Sequence, residues 1–264
     1  MDLQLQHKRA LVSGSSVGIG FAIAQSLARE GASVVVNGRS AERVEAAAKK
    51  IRASGAKGKI TTCTVDLSTQ AGVDALVVQL PEVDILVNNL GVYEPKPFEQ
   101  ITDEDWLKIF QLNVMSGIRL SRAYLPGMKK QDWGRIIFIS SESGINIPAE
   151  MIHYGMTKTA QLAISRGLAE TTAGTGVTVN AVLPGPTWSE GVEQLVESTA
   201  RANQTSAASV EKEFFKSVRP SSLLKRFATP DEVAALVTFV ASPLSSATNG
   251  AALRVDGGVV RSIV

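Results

Sequence analysis

The chain has 264 residues, 44% of them hydrophobic, which is enough to fill the core of one large α/β domain. Its 27 Lys and Arg nearly balance 25 Asp and Glu, for a formal charge of +2, so no global field points to nucleic acid or to an anionic membrane. One cysteine and two histidines exclude an internal disulfide and argue against a transition-metal cluster, so the expected partner is a small molecule and the expected metal content none.

At the N-terminus, His7-Lys8-Arg9 precedes an uncharged stretch from Ala10 to Ala28 that resembles a signal peptide. Four serines, three glycines and a glutamine interrupt it, and it changes from a β-like to a helical pattern, so neither cleavage nor a membrane span is expected and the setting reads as cytoplasmic. From Arg9 onward short apolar runs alternate with helical patterns. The runs are Arg9–Val12, Ser33–Val36, Ile60–Val65, Val83–Val87, Arg135–Ile139 and Val177–Val182, with a last one at Ala251–Val255. Cys63 lies inside the β-branched run and reads as a buried strand residue. Ser40 is a plausible N-cap for an amphipathic helix, and Thr229-Pro230-Asp231-Glu232 combines a cap, a first-turn proline and acids suited to a helix start. Such alternation predicts right-handed βαβ units on a parallel sheet of seven strands, in one domain spanning 1–264. The rhythm breaks over 186–228, where Trp188, Val192, Leu195, Phe214 and Phe215 are mixed with charges. A substrate lid inserted in the domain is expected there, and a surface helical pair is the alternative.

Between the first strand and the first helix lies Ser13-Gly14-Ser15-Ser16-Val17-Gly18-Ile19-Gly20, a turn placed where backbone N–H groups and the helix dipole can receive a diphosphate. Its G-x-x-x-G-x-G spacing differs from G-x-G-x-x-G, so position in the chain carries more weight than the glycines. The same residues fit the hydrolase pattern G-x-S-x-G, with Ser16 as nucleophile and Asp84 and His153 following in order. That pattern needs a histidine base and normally follows a central strand deeper in the chain, and it is disfavoured. The second strand ends Asn37-Gly38-Arg39-Ser40 with no acid to grip a free ribose hydroxyl; Arg39 and Ser40 suit a 2′-phosphate, which favours NADP(H), with NAD(H) possible and a solvated Arg39 as the competing reading. Downstream, Tyr154 and Lys158 share a helical face, and Ser141 ends a strand before them.

Together the glycine turn, Asp66-Leu67, Asn88-Asn89-Leu90-Gly91, Asn113, Ser141, Tyr154, Lys158, Pro184-Gly185 and Val255-Asp256-Gly257-Gly258 resemble the short-chain dehydrogenase/reductase family over nearly the whole chain. The resemblance implies a doubly wound Rossmann-type fold and a homotetramer, with one interface around Ile101–Met128 and Met151–Thr171 and another at the final strand. It implies interconversion of a carbonyl and a secondary alcohol by hydride transfer, with Tyr154 as general acid or base. Lys158 would lower the tyrosine pKa and hold the nicotinamide ribose, Ser141 would bond the reacting oxygen, and Asn113 would position a relay water. It places Gly14, Ser16, Gly18, Ile19, Gly20, Arg39, Ser40, Asp66, Leu67, Asn89, Gly91, Tyr154, Lys158, Pro184, Gly185, Thr187 and Ser189 at the cofactor. Leu90 stands where the family usually has alanine and could crowd that loop. Members acting on acyl carrier protein carry two surface arginines where this chain has Asp132 and Thr175, although Lys129, Lys130 and Arg135 are near. Alternatives are an NAD-dependent polyol or sugar dehydrogenase, a 3-oxoacyl-acyl-carrier-protein reductase, and a non-catalytic NADP-binding redox sensor. Met151 and Met156 read as packing residues. Lys212, Lys216 and Arg219 among the lid aromatics suggest a partly apolar substrate bearing a negative group.

Overall fold

The computed structural model describes residues 1–263 and bears out the α/β reading. Its elements are β1 Arg9–Val12, α1 Gly18–Arg29, β2 Ser33–Gly38, α2 Ala41–Ala53, β3 Ile60–Thr64, α3 Gln70–Gln79, β4 Ile85–Asn88, α4 Asp103–Phe110, α5 Ser116–Lys130, β5 Gly134–Ile139, α6 Ile152–Glu170, β6 Val177–Pro184, α7 Glu190–Ala202, α8 Ala207–Ser217, α9 Pro230–Val240 and β7 Ala252–Val255. All seven strands are parallel in the order β3-β2-β1-β4-β5-β6-β7, the doubly wound arrangement. Strand limits differ from the sequence reading by no more than two residues: β4 begins at Ile85 instead of Val83 and β6 runs on to Pro184. Both expected caps form. Ser40 accepts the Arg43 amide, and Thr229 makes a capping box with Glu232 ahead of Pro230.

Period-two alternation sorts the strand residues onto the two faces of the sheet. Ala10, Val12, Val34, Val36, Ile85, Val87, Ile137 and Ile139 pack against α1, α2 and α9. Leu11, Val35, Leu86, Ile136 and Phe138 point the other way, against α3, α5 and α6. Cys63 is buried in that second layer, as its strand context predicted. The segment 186–228 folds into α7 and α8, which with Phe227 build a separate aromatic cluster: Phe214, Phe215 and Trp188 all lie within 5.5 Å of the Phe227 ring by centroid. Among the described residues no helix is long and apolar enough to cross a membrane.

The carboxyl ends of β1 and β4 are neighbours whose chains leave in different directions, and polar side chains tie them together there. The Asn37 side-chain oxygen accepts the Gly14 amide at 3.1 Å, and its Nδ2 donates to the Cys63 and Val65 carbonyls. Asn37 and Ser15 also exchange bonds: the Asn37 amide donates to Ser15 Oγ, and the Ser15 amide to the Asn37 carbonyl. From the other side Asn89 Nδ2 donates to the Ser13 and Gly14 carbonyls at 2.9 and 3.0 Å, while Ser13 Oγ accepts the Asn89 and Leu90 amides. Gly14 adopts a φ of +61° and Gly18 one of +60°, which a side chain would strain. Gly20 is required for space: a Cβ there would strike Asn89 Nδ2 and the Gly14 carbonyl. Asn37→Ala removes three of these bonds and strands the Gly14 amide, so it should lower unfolding free energy by about 2 kcal/mol with an unchanged m-value, measured by urea denaturation.

Candidate active site

Tyr154 and Lys158 lie one turn apart on α6, and the end of β5 brings Ser141 to them. Lys158 is 4% exposed; its Nζ donates to the Ile139 carbonyl at 2.9 Å and to Gln161 Oε1 at 3.3 Å, and lies 5.6 Å from the centre of the Tyr154 ring. Ser141 is buried, with its hydroxyl accepting the Ser143 amide at 3.1 Å. Ser140 turns the other way, and its hydroxyl donates to the Lys158 carbonyl, so only Ser141 faces the tyrosine. The long helix ahead of β5 widens into a π turn over Gln111–Met115 between α4 and α5, and this turn carries Asn113. The Asn113 side chain pins the loop after β4, giving and taking bonds with Val92 at 2.8 Å and donating to Thr157 Oγ1 at 3.0 Å. Its main-chain carbonyl accepts Gln161 Nε2 at 2.6 Å. Gln161 thereby links Asn113 to Lys158 directly.

Electrostatically the pair departs from the sequence expectation. Lys158 was expected to draw the tyrosine pKa downward. Burial instead pushes the phenol up to about 12, with the Ser141 hydroxyl pulling the other way and the Glu142 charge adding to the rise. Burial also lowers Lys158 to about 7, so this lysine is only partly charged at neutral pH. Burial thus favours the neutral form of both side chains.

The glycine turn offers a cradle that fits a dinucleotide diphosphate. Gly14 and Gly18 leave the backbone approachable, and Val17, the N-cap of α1, offers no side-chain cap, so the first N–H groups of the helix are free for an anion. Across the turn, a Cβ built on Gly18 would lie 3.9 Å from the Ser189 side chain, which brings Ser189 to this cradle; its hydroxyl also caps α7. Ser16 lies against Gly38, and Arg39 stands exposed beside it. The Ser40 hydroxyl is committed to capping α2 and is left with only its proton to offer a phosphate. The Asp66 carboxyl is held low by bonds from the Ser68 hydroxyl and amide, with the Arg39 charge adding to the effect. Gly91 approaches Lys158 Nζ. Pro184 and Gly185 end β6, and the Thr187 hydroxyl donates back to the Gly185 carbonyl. Leu67 is buried in the layer that holds Cys63 and Val73, so its side chain faces the core and its main chain is what it can offer a cofactor; Ile19 is partly buried against the other layer. Leu90 packs onto Gly14 and the second core layer without displacing the turn.

The hydrolase arrangement does not assemble. Asp84 lies at the amino end of β4, opposite the glycine turn, and its carboxylate accepts the Arg9 amide and guanidinium at 2.8 and 3.0 Å. His153 is buried edge-on to Trp106. Arg135, considered as a carrier-protein contact, is 2% exposed and donates to the Gly134, Gly176 and Ser242 carbonyls; Asp132 accepts the Gly176 amide.

A cavity of about 760 Å³ opens in front of Ser141 and Tyr154, walled by Met151, Tyr93 and apolar side chains of α7 and α8. Met151 thus faces the cavity. Lys212 and Lys216 are absent from its lining; Arg219 is present and paired with Glu142 and Glu150 at 2.9 and 3.3 Å. Burial holds the Glu142 carboxyl above the usual carboxylate range, with Arg219 offsetting part of the rise. Sequence reasoning missed Asn37, Glu142 and Gln161. An amide ending the apolar run Val34–Gly38 was a usable signal for Asn37, as was the one-turn spacing of Gln161 from Lys158. Nothing local marked Glu142, whose partner is 77 residues away.

A family model for short chain dehydrogenases matches residues 8–200, and the chain belongs to this family; it is an NAD(P)-dependent oxidoreductase of CH–OH and C=O groups. It is 49% identical over 263 residues to the oxidoreductase YvaG of Bacillus subtilis, covering 100% of both chains. It is 34% identical over 260 residues to a D-beta-hydroxybutyrate dehydrogenase of Cupriavidus necator, covering 97% of this chain and 99% of that one. The solved structure of L-sorbose reductase from Gluconobacter frateurii, complexed with NADPH and L-sorbose, superposes with a TM-score of 0.94 at 30% identity over 100% of both chains.

Between the folded Lys158 value of about 7 and its ordinary value near 10, the unfolded chain binds a proton that the folded chain does not, so this side chain makes stability rise with pH across that window. Lys158→Met should therefore stabilise the fold more at about pH 6 than at about pH 10, as read from paired urea unfolding curves; a pH-independent increment would contradict the assigned burial effect.

Proposed function

We propose that the protein is an NADP(H)-preferring reductase that converts a ketone to a secondary alcohol, with Tyr154 as the general acid. The observation that carries this reading is the convergence of a protonated, half-buried Tyr154, the Ser141 hydroxyl and Lys158 on one cavity beside the glycine cradle. When bound, a reduced nicotinamide supplies a hydride to the carbonyl carbon. Tyr154 gives its proton to the carbonyl oxygen as charge develops there, and Ser141 steadies that oxygen by hydrogen bonding. Lys158, anchored by Ile139 and Gln161, holds its amine toward the Gly91 backbone, where it can orient a ribose and return a proton to the tyrosine. Gly14, Gly18 and Gly20 admit the diphosphate, Arg39 meets a 2′-phosphate, and Asp66, Asn89, Thr187 and Ser189 flank the remainder.

Segment 186–228 acts as the substrate lid, a role supported by its helices forming one wall of the cavity. The same convergence of proton-handling groups favours turnover over redox sensing, and a buried Arg135 disfavours carrier-protein docking. A cytoplasmic homotetramer is in keeping with the free buried Cys63, the exposed Leu107 on α4 and the half-covered edge strand β7.

Calorimetry of NADPH and NADH with wild type and Arg39→Ala tests the coenzyme assignment. The expected result is an NADPH preference of about tenfold or more that falls to near parity in the variant, the size of one lost charge-assisted contact. Preferential NADH binding by the wild type would overturn it.

A further inference from the structure

Resting on the carbonyl-reductase reading, we propose that α7 and α8 form the specificity wall for a ketone bearing an extended apolar chain. The carbonyl lies at Ser141 and Tyr154, the chain runs along the lid helices, and a polyhydroxylated ketone of equal length is a poorer substrate.

Both lid helices turn an apolar face to the cavity. Val192, Leu195 and Val196 stand three and four residues apart on α7, and Val210 and Phe214 four apart on α8, the spacings that put side chains on one side of a helix. Phe214 is stacked on Phe227 with ring centroids 5.1 Å apart, and Val192 and Val210 pack on the same cluster, so the wall is braced by the lid's own aromatic core. Leu195, Val218 and Tyr93, which also line the cavity, are left 58%, 44% and 49% exposed. Scattered apolar side chains on a surface need no explanation. Several gathered around one concave site that also holds the reacting groups mark a surface that an apolar ligand covers.

The polar groups of the lining beyond Ser141 and Tyr154 are engaged with one another or sit in water. Glu142 accepts Arg219 Nε at 2.9 Å and is bonded by the Ser143 side chain. Arg219 Nη1 donates to Glu150 Oε1 at 3.3 Å and to the Val218 carbonyl at 3.0 Å. Asn203, Thr205, Ser209 and Ser217 are exposed. Among the half-buried lining residues of the two lid helices, Thr199 brings the one hydroxyl. A polyhydroxylated chain laid here would give up water at each hydroxyl without a partner, whereas a hydrocarbon chain gains with every methylene buried. Of the basic residues that suggested a negative group, Lys212 and Lys216 lie outside the lining and Arg219 is held by two carboxylates, so the wall supports the apolar half of that expectation. The cavity of about 760 Å³ falls among sites of about 300–1,000 Å³ that take drug-sized ligands. Gly185, assigned to the coenzyme, borders the same space, so part of it is the nicotinamide's; the remainder exceeds what a ketone as small as 2-butanone fills.

The test measures kcat/KM for 2-butanone, 2-hexanone, 2-octanone and erythrulose, with whichever of NADPH and NADH binds. Erythrulose is an open-chain ketone with the carbon skeleton of 2-butanone, hydroxylated at each remaining carbon. The expected wild-type result is a rise of about threefold or more per added methylene, the increment of burying that group, with erythrulose poorer than 2-butanone. In the double variant Val192→Thr/Leu195→Asn, verified as folded by a melting curve, the ratio of 2-octanone to 2-butanone should fall by about fivefold or more, a change in chain-length response that lost stability alone would not produce. No chain-length dependence, erythrulose a better substrate than 2-butanone, or a ratio preserved in the folded variant would overturn the proposal. If the variant does not fold, the wild-type series alone decides. Turnover of these ketones without a chain-length rise rejects the apolar wall and leaves the reductase reading standing, whereas no turnover of any of them by coenzyme-bound enzyme rejects both.

Discussion

Asn37 and Asn89 hold the Gly14 turn from two sides, one through its amide and the other through its carbonyl oxygen, and the geometry of the site follows from that clasp. A parallel sheet gathers the carboxyl ends of its strands on one edge but does not by itself fix how the emerging loops lie against each other. Here β1, β2, β3 and β4 are joined at that edge by side-chain amides and the Ser13 and Ser15 hydroxyls instead of by further strand pairing. The Asn37 bonds to Ser15 and Cys63 are buried and those of Asn89 part-buried, so these protein partners organise the turn in a poorly solvated place.

Catalytic chemistry then depends on how much water the neighbouring pocket excludes. Burial moves Tyr154 and Lys158 toward their neutral forms, by opposite pKa shifts with one cause. Gln161 places a fixed amide between Lys158 and the Asn113 carbonyl, so the lysine's orientation is set by protein atoms on two sides. The π turn at Gln111–Met115 gives that carbonyl its freedom from the helical ladder, and Asn113 spends its side chain on the Val92 loop that borders the cavity.

Features with a local period were legible in the sequence. Short apolar runs set between helical patterns located all seven strands, because strands buried on both faces, as Val34, Val35 and Val36 are, read as continuous apolar stretches, and the spacing of Tyr154 and Lys158 placed them on one face of α6. Ser40 and Thr229 were readable as caps because capping is a matter of three or four residues. What escaped was set by distant parts of the chain. The Glu142–Arg219 pair joins the catalytic loop to the end of α8, and no pattern in either segment announces it. Leu67 keeps its place in the motif while its side chain turns into the core. The spacing of Tyr154 and Lys158 says nothing of how deeply the pair is buried, and burial raises the phenol and lowers the lysine to about 7.

The central claim is that Tyr154 supplies the proton for carbonyl reduction in a site the rest of the fold preassembles. Single-turnover and steady-state rates of ketone reduction by Tyr154→Phe, alongside its NADPH affinity, test this most directly. The account predicts a loss of about a hundredfold or more in kcat with coenzyme affinity within about threefold of wild type, since only the acid is removed. A variant that reduces ketones at a rate close to wild type would contradict it.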